Sequence, residues 1–464
     1  DEFQGFKLGR YSYVPNGGHL TYYDVMTGKA RSWDFQQAMD NHANEIAFLF
    51  ENTFNNGWKW NLNAKYMDAP RANYVDFGGS TISNIRNGVL DGYVLTTDAN
   101  GQDPYSGYVE GRRTWLHFGK VRSFMLTTEL DKQFGNHNLR IGLNEWFYHL
   151  NYHSSSFQWY GTVNNYPTIL YGNYYNPFTG ATSRSQTYDF NELSPEYTKG
   201  NENKLALYIT DTWQVTPKFK LLYGGRLEYY RMSADQISLG RYNGFYIGGT
   251  NAGGVTVEPA KVTKDKLNYA ATIQGQYALT DKFGFLADAT VATRFPRISD
   301  YAGTGPTEEQ YNRVTIPLIR GGVYFKNSWI DLTSMITYIS KSNNIDQQNL
   351  TNPGTSESKT VLLIYDIHTL GWTTSAEIDP FKGFHLHALF TWQKPQYKNY
   401  NASVTFNNGN TMSVDADKMI VKEIPQILIE FDPSYQITKD VRAWLSFRYF
   451  GKTYANLQEA FYFN

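Results

Sequence analysis

The sequence predicts an all-β protein, a transmembrane antiparallel up-and-down β-barrel, and three observations carry that prediction. Tight turns flanked by aromatic residues recur down the chain. Around each turn, apolar and polar residues alternate with period two, the pattern of a strand with two unlike faces. The connections between these hairpins are long, so short turn and long loop alternate, as in barrels that span a bilayer.

The hairpin Asp211–Tyr230, DTWQVTPKFKLLYGGRLEYY, shows the unit. Beyond the Thr216-Pro217-Lys218 turn, Phe219, Leu221, Tyr223, Leu227 and Tyr229 share one face. Lys220, Gly224, Arg226 and Glu228 share the other. Further turns stand at Phe54–Trp58, Phe134–Asn138, Thr280–Phe283, Phe325–Trp329, Phe381–Phe384 and Thr438–Asp440. Their Gly, Asn and Asp residues, with Pro217 in the first, supply the dihedrals short turns demand. Phe283, Phe285, Ala287, Ala289 and Val291 oppose Asp288 and Thr290. Likewise Val441, Ala443, Leu445, Phe447 and Tyr449 oppose Arg442, Ser446 and Arg448.

Between the turns lie polar stretches rich in Gly, Asn, Ser, Thr and Tyr, near 69–113, 154–202, 233–265, 295–317, 341–360 and 395–418. Loops beyond about 15 residues are uncommon in compact domains and tend to carry function. Roughly fourteen strands of about 10 to 15 residues are expected, long enough to cross a bilayer at a tilt. In hydrocarbon the backbone must pair within the protein, which requires a closed cylinder. Its outward side chains must be apolar, with aromatics at both boundaries. Trp58, Trp213, Phe219, Trp329 and Phe384 fit the girdle near the short turns, and Tyr229, Tyr338 and Trp392 fit the other.

Composition agrees. Aromatic residues make up 17% of the 464 residues and charged residues 18%, against about 25% charged in average soluble domains. A net charge of -1 gives no basic surface for nucleic acid. The absence of cysteine excludes disulfides, thiolate metal sites and cysteine nucleophiles. No run approaches the roughly 18 apolar residues of a membrane-spanning helix. The start, DEFQGFKLGR, has neither a basic n-region nor an apolar h-region, so a signal peptide is expected to lie upstream or to have been removed.

No HExxH, Walker-type loop or GxSxG motif is present, so neither catalytic residues nor a cofactor are expected. The GGTNAGG stretch from Gly248 reads as a flexible loop rather than a phosphate cradle. His149 and His153, and His385 and His387, share strand faces but lack a third ligand at defined spacing, so no metal site is expected. Asp415 and Asp417 offer at most a loose cation site in a loop. The residues expected to line a substrate path are Arg226, Glu228, Asp288, Arg294, His385, His387, Arg442 and Arg448; the same charges also suit a self-compensating lumenal network. In YGTVNNYPTILYGNYYNP, Tyr160, Tyr166, Tyr171, Tyr174 and Tyr175 offer rigid contact area for ligand capture, beside adaptable amides.

The stretches Leu205–Tyr230 and Tyr269–Tyr301, with their Gly-Arg-aromatic return strand and Arg294-Phe295-Pro296 cluster, resemble the barrel of TonB-dependent outer-membrane receptors. The hairpin Asn41–Tyr66 resembles an earlier hairpin of that barrel. The resemblance implies a barrel of twenty-two strands around an N-terminal plug. Residues 1–464 are then expected to be a partial barrel domain, lacking the plug, the TonB box and the terminal strands. It further implies the outer membrane of a Gram-negative bacterium, long loops outside, outer-membrane lipid as surroundings and a small nutrient ligand. The TonB complex would act through the plug to drive uptake, with iron-siderophore ligands the family's common cargo. Two other functions fit the same strands: a passive porin, and a secreted β-rich carbohydrate-binding protein or enzyme.

Overall fold

In the computed structural model, residues 19–34, 40–164, 167–191, 196–237, 244–295, 312–355, 357–455 and 462–463 are described. Among them there is no helix, and one large antiparallel sheet forms the barrel wall. Its first strands are β1 (Asn41–Thr53), β2 (Trp58–Ala72), β3 (Tyr74–Ile85), β4 (Gly107–Phe134) and β5 (His137–Thr162). There follow β6 (Tyr197–Thr216), β7 (Phe219–Gln236), β8 (Ala260–Ala278), β9 (Phe283–Arg294) and β10 (Val314–Lys326). The wall continues through β11 (Ile330–Thr351), β12 (Ser358–Ile378), β13 (Phe384–Lys398) and β14 (Ile427–Gln436). It ends in β15 (Arg442–Trp444) and β16 (Phe447–Phe450).

Two of these strands are interrupted rather than separate. β2 pairs with β4 up to Ala69↔Val121, and β3 resumes on β4 at Tyr74↔His117. β15 and β16 hold one register on β14 and part opposite Pro433, which has no N–H to give Leu445. With each interrupted strand taken once, the described wall has fourteen strands, as the alternation predicts.

Side-chain oxygens close most of the short turns. Thr216 Oγ1 accepts from the amides of Lys218 and Phe219 at 3.3 and 3.0 Å. Thr280 does the same for Lys282 and Phe283, and Thr438 for Asp440 and Val441. Asn327 Oδ1 takes the amides of Trp329 and Ile330, both at 2.9 Å. Each hydroxyl or amide oxygen thus satisfies two donors the ladder cannot reach. At Phe134↔His137 the two-residue turn relies on Gly135, whose φ of +53° is open to glycine at little cost.

Register carries the two faces around the wall. Tyr223, Ile273, Ala289, Ile319, Tyr338 and Leu370 lie side by side from β7 to β12, forming an outward apolar row. Tyr229, Tyr338 and Trp392 are exposed on this outer face, as the girdle assignment expects, and Trp329 is exposed in its short turn. No compact soluble surface exposes so continuous an apolar band; hydrocarbon is the environment that removes its cost.

The strands exceed the expected length. β4 has 28 residues, β5 has 26 and β11 has 22. Residues 107–113, 154–162 and 341–351, expected as loop, are therefore strand. The apolar alternation stops where the greasy band stops, but ladder pairing continues beyond it, carrying polar side chains together with Val109, Phe157, Trp159 and Tyr160, which are buried under the loops. Strand order brings the last strands back beside β1. This seam differs from the rest: among the described residues no residue-by-residue register joins β1 to β15 or β16, and all three strands are exposed along nearly their whole length.

Ile273, 50% exposed, sits midway along the outward face of β8. Ile273→Arg should destabilise the barrel by about 2–4 kcal/mol, while Thr290→Arg on the inner face should cost under about 1 kcal/mol. Equilibrium urea unfolding from lipid vesicles measures both.

Candidate functional site

The inner face of β4 to β9 carries a polar network around a concavity of about 450 Å³. Glu129, Gly142, Tyr208 and Arg226 lie in one cross-strand row. Tyr208 lays its ring over Gly142 and donates to Glu129 Oε1 at 2.7 Å, two strands away. A Cβ on Gly142 would stand 2.2 Å from Tyr208 Cζ, so glycine is what lets the ring cross. Arg226 donates to Glu228 Oε2 at 2.8 Å and to Asn144 Oδ1 at 3.3 Å. Asn268 donates to the other Glu228 oxygen at 3.2 Å, and the Thr272 and Thr290 hydroxyls meet at 2.8 Å.

A second groove, of about 280 Å³, lies nearer the short turns between Lys220, Gln274, Asp288 and Arg320. Asp288 is directly opposite Arg320, whose Nε lies 3.1 and 2.9 Å from the two carboxylate oxygens. The Asp288 side chain is only 7% exposed, so this pairing is what makes its charge tolerable.

The expected substrate-lining residues thus fall into separate groups. Arg226 and Glu228 belong to the larger concavity and Asp288 to the smaller. His385, His387, Arg442 and Arg448 gather on β13, β15 and β16. There Arg442 donates to Ser434 Oγ at 2.7 Å and Arg448 holds Asp432 with both terminal nitrogens. Arg294 is exposed at the end of β9, and Pro296 lies outside the described residues. Local reading missed Glu129, Asn144, Tyr208, Arg320, Glu377, Glu430 and Asp432. All sit at inward positions of the alternation, so parity could have found them, but their partners are set by register.

The long-loop tyrosines are placed differently from expectation. Tyr160 and Tyr174 are buried, packed with Tyr93 and Tyr188; the Tyr174 and Tyr188 rings stack at 4.5 Å. They build a loop core instead of an open capture surface. Burial pushes the phenols of Tyr160, Tyr174 and Tyr188 upward, so they stay protonated. Tyr171 is half-buried, and Tyr175 is 54% exposed and remains available for contact. Tyr166 lies outside the described residues. Asp415 and Asp417 serve local turns: Asp417 N donates to Asp415 Oδ1, and Asn399 N to Asp417 Oδ1.

Beyond the apolar band, the extended ends of β3, β4 and β5 hold a second polar cluster. His117 Nδ1 lies 2.6 Å from Tyr152 Oη, and Tyr152 in turn donates to the Glu196 carboxylate. The His117 ring stacks on Tyr74 at 4.0 Å. With the Tyr152 proton directed at Glu196, His117 Nδ1–H is the donor to Tyr152. Burial holds His117 below the usual imidazole range, against the opposing pull of Glu196 and Asp76.

No family profile and no curated protein matches the chain. Solved structures do. The copper transporter OprC aligns at 13% identity over 89% of this chain and 58% of its own, with a TM-score of 0.52. The siderophore receptor PiuA from Acinetobacter baumannii aligns at 11% identity over 97% of this chain and 74% of its own, with a TM-score of 0.48. The likeness is one of fold: the chain shares the β-barrel architecture of the copper transporter and spans 58% of its length.

Because folding lowers the His117 pKa, protons favour the opened state. Its contribution is intact above the unfolded value of about 6.5 and is lost progressively as pH falls below that value toward the folded one. Amide protection factors in 74–85 and 107–118, with the intrinsic pH dependence of exchange divided out, should therefore fall between pH 7.5 and about pH 5, and His117→Gln should flatten that dependence.

Proposed function

We propose that this protein is an outer-membrane receptor that takes up a scarce small nutrient by active transport, its long loops facing outward and its energy coming from the TonB complex through a plug in the lumen. Residues 1–464 would supply barrel wall for that machine. The observation that carries the reading is the two-faced wall: an unbroken apolar row outside, and inside a concavity lined by Asn144, Tyr208 and Arg226. A wall built that way suits passage of a polar solute, and its inner charges are paired by neighbours rather than arranged around a reacting centre. An iron-siderophore-like chelate is the ligand class this reading favours, in keeping with the family resemblance.

The test is ligand uptake by cells that depend on the full-length protein, with and without functional TonB. Ferric siderophore supplied outside should enter only when both proteins are present. Uptake that persists without TonB would overturn the active reading in favour of a passive channel. Recovery of the protein from the soluble fraction without detergent would overturn both, and leave the secreted binding protein.

A further inference from the structure

We propose that the inner wall near the short turns holds a site for a first-row divalent metal ion, built by His387, Glu430 and Asp432. The three offer ligand atoms that all lie within 4.8 Å of one another, on half-buried side chains. They come from two strands, β13 and β14, and register places them on one face. Glu377, His387 and Asp432 stand in a single cross-strand row over β12, β13 and β14. Glu430, two residues from Asp432, faces the same way opposite Arg448. This supplies what the sequence lacked: His387 finds its further ligands across the sheet, on a neighbouring strand.

The orientation of the imidazole is the second, independent observation. His387 Nδ1 lies 2.6 Å from Glu377 Oε1, so Nδ1 carries a proton and, in the neutral ring that would ligate a metal, the Nε2 lone pair is left open. Nε2 faces Glu430 Oε2 at 4.0 Å. A carboxylate that holds one ring nitrogen while the other ligates is the usual support of a metal-bound histidine. For ligands at about 2.1 Å around a tetrahedral ion, donor atoms stand about 3.4 Å apart, so side-chain rotations that draw the three together by up to about 1.4 Å complete the geometry. One imidazole and two carboxylates suit zinc and its first-row neighbours better than calcium or magnesium, which favour oxygen alone.

Charge points the same way. Asp379, Glu377, Glu430 and Asp432 surround His385 and His387, with Arg448 3.4 Å from Glu430 and bidentate on Asp432, and Arg442 on Ser434 opposite His385. Four carboxylates against two guanidinium groups leave a surplus of two negative charges that a divalent cation would balance. Each oxygen of Asp432 keeps a lone pair beyond its bond to Arg448, so metal and arginine can share it. Arg448 is then a competitor as well as a neighbour.

The experiment is a calorimetric titration of Zn²⁺ into the full-length protein in detergent, after chelator treatment. One saturable equivalent is expected, lost in His387→Ala and weakened in Glu430→Gln and Asp432→Asn. Glu377→Gln, which touches no metal, should weaken binding at least about tenfold by freeing the imidazole. Arg448→Gln should tighten it, a gain no misfolded variant can imitate. Wild-type protein that takes up no more Zn²⁺ than His387→Ala, or an Arg448→Gln variant that binds more weakly, would overturn the site. Neither result depends on what the barrel transports.

Discussion

Everything in this wall depends on pairing the backbone where there is no water to pair it. An unsatisfied N–H or C=O in hydrocarbon costs several kcal/mol, so a strand survives there only with a neighbour on each side. The ladder from β1 to β16 answers that demand residue by residue over most of its course. The short turns extend the same solution to the membrane boundary. Thr216, Thr280, Thr438 and Asn327 place a side-chain oxygen where the ladder runs out, so the turning amides are paired as well.

Once pairing is fixed, the pleat decides where polar chemistry can survive. Inward positions carry Arg226 with Glu228 and Asp288 with Arg320, each charge beside its complement. Outward polar residues occur at the edges of the apolar band. Near the short turns, Asp211 accepts from His137 Nδ1 at 2.6 Å and Tyr223 Oη at 2.8 Å, beside a stack of Phe134, His137 and Trp213. At the other edge, Asn203 donates to Glu145, next to Leu205 and the aromatic row of Tyr229. These polar groups sit among interfacial aromatics, where headgroups and water are within reach.

Legibility in the sequence follows from how local each feature is. Turn chemistry and face parity are properties of four to ten consecutive residues, so FNNGW, TDKF and the Phe283–Val291 alternation could be read directly. Strand length was not, because the alternation reports the extent of lipid while pairing reports the extent of the ladder; residues 154–162 belong to the second and not the first. Tyr160 and Tyr174 look in sequence like Tyr175, and only the folding of the loops over them separates buried from exposed. The inner-face groups were legible by halves. Asp288, His387 and Arg448 stand out by type and parity, but Arg320, Glu377 and Asp432 become their partners only through register.

The seam is where the governing constraint and the pleat's division of labour both weaken. The inner face there still carries Glu45 and Glu51 on β1 and Arg442 and Arg448 on the final strands, yet between these charges stand Leu49 at 74% and Trp444 at 73% exposure. Parity assigns both inward: Leu49 is opposite Asn63, itself opposite the lumenal Thr127, and Trp444 is opposite Ser434 in the face of Asp432. Outward, Ile46, Phe48 and Phe447 keep the greasy flank. Apolar side chains left uncovered on both faces of a strand mark an edge whose two faces are both to be packed. Among the described residues, the absence of register and these uncovered inward apolar side chains thus coincide at one place in the wall. Side-chain burial at that place, on the lumenal flank as much as the lipid flank, is the contact that would hold β1 against the final strands.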